Sequence, residues 1–163
     1  MESDSPVKKM STKESSKHQI AYNKKAAFNF ELLDEFTAGI KLEGREIKSL
    51  RNHKPSFSGA YVSIVHGRPY LKDLNIPRYK NDSTADYIPK RQRLLLLKKA
   101  EIARLESKTN EKTVTIVPIE IFLSHNLAKV RIALARGKKK YDKRRVIQER
   151  EEKRRVQRVM KKY

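Results

Sequence analysis

Over the middle of the chain, hydrophobic residues alternate with polar ones. Phe28, Phe30, Leu32 and Phe36 fall at even spacing, interrupted at Asp34, which predicts a half-buried strand. Beyond Thr37 and Ala38, Ile40 and Leu42 alternate with Lys41 and Glu43, and Gly39 within that pattern predicts a bend or bulge in a curved sheet. Ile47 and Leu50, three apart within Arg45–Arg51, predict a helix of two turns, and Asn52 to Gly59 reads as loop. Ala60, Val62 and Ile64 alternate with Tyr61 and Ser63. His66-Gly67-Arg68-Pro69 then turns the chain into a return strand carrying Tyr70, Leu71, Leu74 and Ile76. Residues 77–92, bounded by Pro77 and Pro89 and rich in Asn, Asp and Ser, read as an exposed irregular loop.

Arg93–Ser107 is expected to be helical, because Leu95, Ile102 and Leu105 share a helical face and Leu94–Leu97 are strong helix formers. Val114–Leu123 is rich in β-branched residues, with Pro118 fitting a bulge or edge position. After a turn at Ser124–Leu127, Ala128, Val130, Ile132 and Leu134 point one way while Lys129 and Arg131 point the other. That outward face is basic and suits a phosphate backbone. Five or six antiparallel strands with two inserted helices favour closure of the sheet, which removes its edges. The expected fold is therefore mainly β with flanking helices: a small closed or nearly closed barrel with helices at its rim.

Charge changes the picture. The 163 residues include 39 Lys and Arg against 19 Asp and Glu, a formal net charge of +20. Residues 1–25 carry six basic and three acidic groups, are rich in Ser and lack periodicity, so disorder is expected there. Residues 26–135 hold 19 basic and 12 acidic groups and form the expected folded domain. Residues 136–163 hold 14 basic and four acidic groups, so half of the excess charge lies in a basic C-terminal tail. Self-repulsion on that scale, with a pI of 10.2, points to a polyanionic partner. Nucleic acid fits better than an acidic protein or a membrane surface, because no apolar anchor accompanies the basic N-terminal residues. No apolar run approaches the roughly 18 residues of a bilayer span, and the N-terminal stretch has no apolar core of a secretory signal. A cytoplasmic protein without membrane partner is expected.

Little in the chain suggests catalysis. With no cysteine, thiolate chemistry, disulfides and Cys-based zinc sites are excluded. His18, His53, His66 and His125 lack metal-ligand spacing, and the five glycines form no phosphate-cradling loop. Glu43 with Glu46, and Glu149 with Glu152, read as helix-surface pairs rather than acid/base dyads. No enzyme, metal or cofactor is expected. Rings do stand beside cations in Tyr22-Asn23-Lys24-Lys25, Arg78-Tyr79-Lys80 and Lys140-Tyr141-Asp142-Lys143-Arg144. Such groupings stack on bases and neutralise phosphates of single-stranded or looped RNA.

One longer string adds to this. Ala38-Gly39-Ile40-Lys41-Leu42-Glu43-Gly44-Arg45-Glu46-Ile47-Lys48-Ser49-Leu50-Arg51 resembles the A-G-I-x-L-x-G-x-E-[VI]-K-S-L-R signature of the small protein B family, the bacterial tmRNA-binding (SsrA-binding) proteins. The likeness continues in order through Asn23-Lys24-Lys25-Ala26, Ser58-Gly59-Ala60-Tyr61, Arg91-x-Arg93-x-Leu95-Leu96-Leu97 with Glu101-Ile102, Thr115-x-Val117-Pro118 and Ala128-Lys129-Val130. It ends in Ala133-Leu134-Ala135-Arg136-Gly137-Lys138-Lys139-Lys140-Tyr141-Asp142-Lys143-Arg144. The resemblance implies an oligonucleotide-binding (OB-like) barrel that clasps the tRNA-like part of tmRNA and enters stalled ribosomes, with no reaction of its own. There it would stand in for the missing anticodon arm while the tail probes the empty message channel.

Carried over residue by residue, the resemblance implies tmRNA contacts at Asn23, Lys24, Lys25, Thr37, Arg91, Arg93, Leu96, Lys98, Lys129 and Arg131. Thr37 stands where the family usually has Glu, Leu94 where a Lys is usual, and Lys98 where His or Asn is customary. Gly137, Lys138, Lys139, Tyr141 and Asp142-Lys143-Arg144 match tail elements that work on the ribosome, with Tyr141 placed to stack on a small-subunit rRNA base. Val156, Val159, Met160 and Tyr163 form an apolar stripe at helical spacing, opposite Arg154, Arg155, Arg158, Lys161 and Lys162. A tail that folds only on RNA is expected, with Val159 and Met160 as apolar anchors. Composition alone equally allows a ribosomal protein with a basic extension; only the ordered motifs prefer the adaptor, and no DNA partner is expected.

Overall fold

The structure, a computed structural model, describes residues 18–111 and 113–161, and of Lys140 and Tyr141 only the backbone. Seven strands and four helices follow one another among them: β1 (His18–Tyr22), α1 (Lys24–Asn29), β2 (Phe30–Ile40), α2 (Gly44–Asn52), β3 (Tyr61–Val65), β4 (Arg68–Lys72), β5 (Arg93–Leu96), α3 (Lys99–Thr109), β6 (Val114–Ser124), β7 (Leu127–Gly137) and α4 (Lys140–Met160). The strands run in the order β1-β6-β3-β4-β5-β2-β7, and β6 also pairs with β7, which closes a six-stranded antiparallel barrel. β1 lies outside that ring, on the edge of β6 that β3 also uses.

Two hairpins fix the register. His66 and Gly67 both have positive φ, as do His125 and Asn126. Two such residues make the turn whose twist matches paired strands. The 66–67 turn joins β3 to β4, and the 125–126 turn joins β6 to β7. The register shift between Pro118 and Glu120 is the bulge expected at Pro118. No shift falls at Gly39; the one in β2 lies between Leu32 and Glu35.

Alternation fills the barrel. Phe36, Ala38 and Ile40 from β2, Leu95 from β5, Ile121 from β6 and Val130, Ile132 and Leu134 from β7 are buried together. Leu50 of α2 and Leu105 of α3 join that core, and so do Leu74 and Ile76, which follow β4 rather than belong to it. On the outside, Ala26 of α1 covers Val117, Ile119, Ala133 and Ala135.

Two expectations need correction. Arg93–Leu96 is a strand, not the start of a helix, and α3 begins only at Lys99. Leu94 pairs with Tyr70, and Leu95 and Leu96 pair with Ile40 and Gly39, so two waiting strand edges override helix propensity. Disorder over 1–25 does not hold for residues 18–25, because β1 pairs with β6 and α1 starts at Lys24; residues 1–17 lie outside the described residues. The tail, expected to be helical when bound, is a helix over Lys140–Met160. Asp142 in its first turn and Arg158 in its last complement the helix dipole, and Arg145 pairs with Glu149 one turn on at 3.2 Å.

Candidate nucleic-acid interface

Directly opposed residues in neighbouring strands point to the same side of a sheet. Outside the barrel this places Leu96, Gly39, Lys129, Phe122 and Gln19 in one row across β5, β2, β7, β6 and β1. Thr37, Arg131, Glu120 and Tyr22 form the next row. Four of the expected RNA contacts, separated by as much as 94 positions in sequence, thus share one outer face: Thr37, Leu96, Lys129 and Arg131.

The chemistry of the face is uneven. Leu96 is 59% exposed and offers an apolar platform. A Cβ placed on Gly39 would lie 3.4 Å from the Leu96 Cβ, so the absence of a side chain at 39 keeps the surface beside Leu96 clear. Lys98 is exposed two residues further on, and its backbone N–H donates to the Glu101 carboxylate at 2.8 Å, fixing the start of α3. Arg131 is neutralised: Glu120 lies 2.6 Å from its guanidinium and Glu35 3.6 Å. No carboxylate pairs with Lys129 among the described residues, so Lys129 keeps its charge available at the centre of the row.

Asn23, Lys24 and Lys25 adjoin the Tyr22 end of this face. The Asn23 side chain works within the protein. Its Oδ1 accepts from the Ala26 N–H and caps α1, and its Nδ2 donates to the Pro118 carbonyl at 2.9 Å. Lys24 and Lys25 are exposed.

Arg91 and Arg93 do not lie on the face. Arg93 is fully buried, and its guanidinium donates to Glu46 and to the carbonyls of Leu74, Pro89 and Arg91. Arg91 grips the same Glu46 with Nε at 2.9 Å and with Nη2. Glu46 is therefore no helix-surface residue but a fully buried carboxylate between two guanidiniums. Burial alone would raise its pKa. The Arg91 hydrogen bond, the Glu43 backbone N–H and the charges of Arg93 and Arg91 outweigh burial and hold the carboxyl below its usual range.

The loop at 77–92 hangs on this lock and is held rather than loose. Ser49 Oγ donates to the Pro77 carbonyl, Tyr87 Oη to Ile76 at 2.8 Å, and the Arg45 guanidinium stands 5.4 Å from the Tyr87 ring centre. Burial pushes the Tyr87 hydroxyl above its ordinary pKa. The sequence signal for the lock was the capping spacing Glu43…Glu46 together with Arg91-x-Arg93 at strand spacing.

The SmpB protein family model matches residues 20–162. The SsrA-binding protein of Thermosipho melanesiensis is 46% identical over 143 residues, covering 87% of this chain and 97% of that one. The SsrA-binding protein of Chlorobaculum tepidum is 44% identical, covering 86% and 90%. The chain belongs to the SmpB protein family. A solved chain from work described as "tmRNA-SmpB: a journey to the center of the bacterial ribosome" superposes with a TM-score of 0.65 at 41% identity, covering 75% of this chain and 86% of that chain. In this SmpB-family chain the signature from Ala38 to Arg51 contains both Gly39, which faces Leu96, and the buried Glu46 that pairs with Arg93.

The tail residues of this SmpB-family chain divide by role. Lys138 is tied to the body, its N–H donating to Asn29 and its Nζ to the Ala27 carbonyl at 2.9 Å. Gly137 ends β7 opposite Phe30, and Lys139 is the exposed residue before α4. Asp142 and Arg144 are exposed and Lys143 is half-buried. Val156, Val159 and Met160 are exposed on α4; the Tyr141 side chain, Lys162 and Tyr163 lie outside the described residues. Among the described residues, no group of His, Asp and Glu could hold a metal and no helix is long and apolar enough to cross a membrane.

Proposed function

We propose that the chain is a non-enzymatic RNA-binding adaptor of trans-translation in the cytoplasm. It binds the tRNA-like part of tmRNA on the outer face around Thr37, Leu96, Lys98 and Lys129, and carries that RNA to stalled ribosomes. There it stands in for the missing anticodon arm, and the tail probes the empty message channel. One observation carries the reading: strand register gathers an exposed apolar leucine, a hydrogen-bonding threonine and a lysine with no carboxylate partner among the described residues from β5, β2 and β7 onto one face. Lysine neutralises phosphates, and an exposed apolar side chain packs on an unstacked base or ribose. Relatives named SsrA-binding protein support the choice of RNA.

On the ribosome the basic segment at Lys138, Lys139, Asp142-Lys143-Arg144 and Tyr141 would meet small-subunit rRNA, with Val159 and Met160 as apolar anchors in the message path. Arg91, Arg93 and Asn23 act as positioning residues, since their polar atoms hold the 77–92 loop and the β6 bulge. The test is purification of the tagged full chain from a bacterial lysate and sizing of the bound RNA. One predominant species of a few hundred nucleotides supports the adaptor; bulk rRNA alone refutes it.

A further inference from the structure

α4 does not stand clear of the barrel. It touches α1, and the two-residue link from β7 is tied down there. Lys138 donates its backbone N–H to the Asn29 carbonyl at 3.0 Å and its Nζ to that of Ala27 at 2.9 Å, both in α1. Phe28 of α1 and Ile147 of α4 line one cleft between the helices. The half-buried Val146 lines a second, against Glu31 of β2 and Arg136 of β7. The first turns of α4 therefore lie in a crook formed by α1 and the adjoining ends of β2 and β7. Phe28 belongs to neither buried cluster of the barrel, which leaves its ring for this contact.

The contact is shallow and electrically opposed. Ile147 stays 43% exposed, so only part of its apolar surface is withdrawn from water. Lys24 and Lys25 line the cleft from α1, and Arg150 and Arg154 line it from α4. Glu151 is the one carboxylate there among the described residues. An apolar pair draws the helix in while like charges at the rim push it off. Terms that nearly cancel make a contact that is closed yet easily opened.

We propose that the α1–α4 contact is an autoinhibitory latch, which parks the tail on the barrel of the RNA-free chain and must open before the tail enters a message path. A helix packed sideways over its first turns cannot be threaded into a narrow channel. Entry requires that Phe28 and Ile147 part and that the chain be re-aimed at 137–139. The clefts on either side of the latch include none of Thr37, Leu96, Lys98 and Lys129, so tmRNA capture and tail release are separate steps. A latch that leaves the open state about one-tenth populated lowers the tail's apparent affinity about tenfold. The inference rests on the tail acting in the message path.

The full chain holds no cysteine, so the paired variant Phe28→Cys/Ile147→Cys carries the only two thiols. A short, thiol-cleavable bismaleimide should join them rapidly in the RNA-free protein. The control pair Phe28→Cys/Val159→Cys should react slowly, because position 159 lies about 18 Å further along the helix at 1.5 Å per residue. The cross-linked chain should bind a tRNA-like tmRNA fragment as the open chain does, yet fail to support peptide tagging on ribosomes holding truncated messages. Cleaving the linker should restore tagging. Phe28→Ala, which leaves the tail sequence intact, should strengthen tail-dependent binding to ribosomes with an empty message path about tenfold. Equal cross-linking of the two pairs overturns the latch, and so does full tagging by the cross-linked chain. An open chain that neither binds the fragment nor tags would instead remove the tmRNA reading, while the cross-linking rates still decide whether the tail is parked.

Discussion

Lys129 and Glu46 show how differently two charged residues serve one protein. Lys129 sits outward between the buried Ala128 and Val130 and forms no ion pair among the described residues. Lys129→Ala should leave thermal stability unchanged and reduce the salt slope of tmRNA binding by about 0.7–0.9, the value of one phosphate contact; an unchanged slope would make it a bystander. Glu46 is the counter-ion of a buried guanidinium, so Glu46→Gln strands Arg93 without charge compensation. A loss of about 3–5 kcal/mol in denaturant unfolding is expected.

The same carboxylate gives the fold an acid limit. Its pKa in the folded chain lies below the ordinary 4.5, so its contribution is complete above that value and is lost as pH falls through the depressed one. Unfolding free energy should therefore drop on acidification below about pH 4.5, and Glu46→Gln should flatten that drop.

Among the elements, β5 is the one whose identity decides which leucine faces the candidate interface. As a helix, Leu94–Leu97 would present four leucines around an axis; as a strand, it turns Leu95 into the core at 2% exposure and Leu96 out at 59%. Substitution separates the two. Leu95→Ala should destabilise the fold by about 2–5 kcal/mol through lost burial and a cavity. Leu96→Ala should hardly move the melting temperature yet weaken tmRNA binding. Equal effects of both substitutions on stability would contradict the strand assignment. The flanking α3 supplies Leu105 to the core and an Arg104–Asp34 ion pair at 2.8 Å back to β2, which keeps Lys98 beside the face.

For the whole molecule the division is between a closed barrel and a charged helix. Truncation at Arg136 should keep tmRNA affinity within the loss that general electrostatics imposes, because the outer face is complete without α4. Replacing Asp142-Lys143-Arg144 by alanines, or Val159 and Met160 by polar residues, should leave binding nearly intact and abolish peptide tagging on ribosomes holding truncated messages. All of these except the half-buried Lys143 are exposed, so the barrel core is not at stake. Normal tagging by both variants would reduce the tail to an electrostatic tether.

Periodicity alone determined what each residue can read from its immediate neighbours. The alternation from Ala128 to Leu134, the hairpin turns at 66–67 and 125–126 and the bulge at Pro118 follow from pleat, left-handed turn residues and a missing N–H, all local properties. The ordered motifs likewise sufficed for the family. Tertiary structure decided the rest, because it depended on partners far along the chain. Leu94–Leu97 became a strand only because Tyr70, Gly39 and Ile40 offered edges to pair with. Arg93, which the resemblance implied as an RNA contact, lies inside, and Arg91 is half-buried beside it, because both pair with the buried Glu46, 47 and 45 positions away. Phe28 and Ile147 line one cleft because β2 pairs with β7 from Phe30 and Gly137 onward and so brings α1 and α4 together, which no single stretch of sequence encodes.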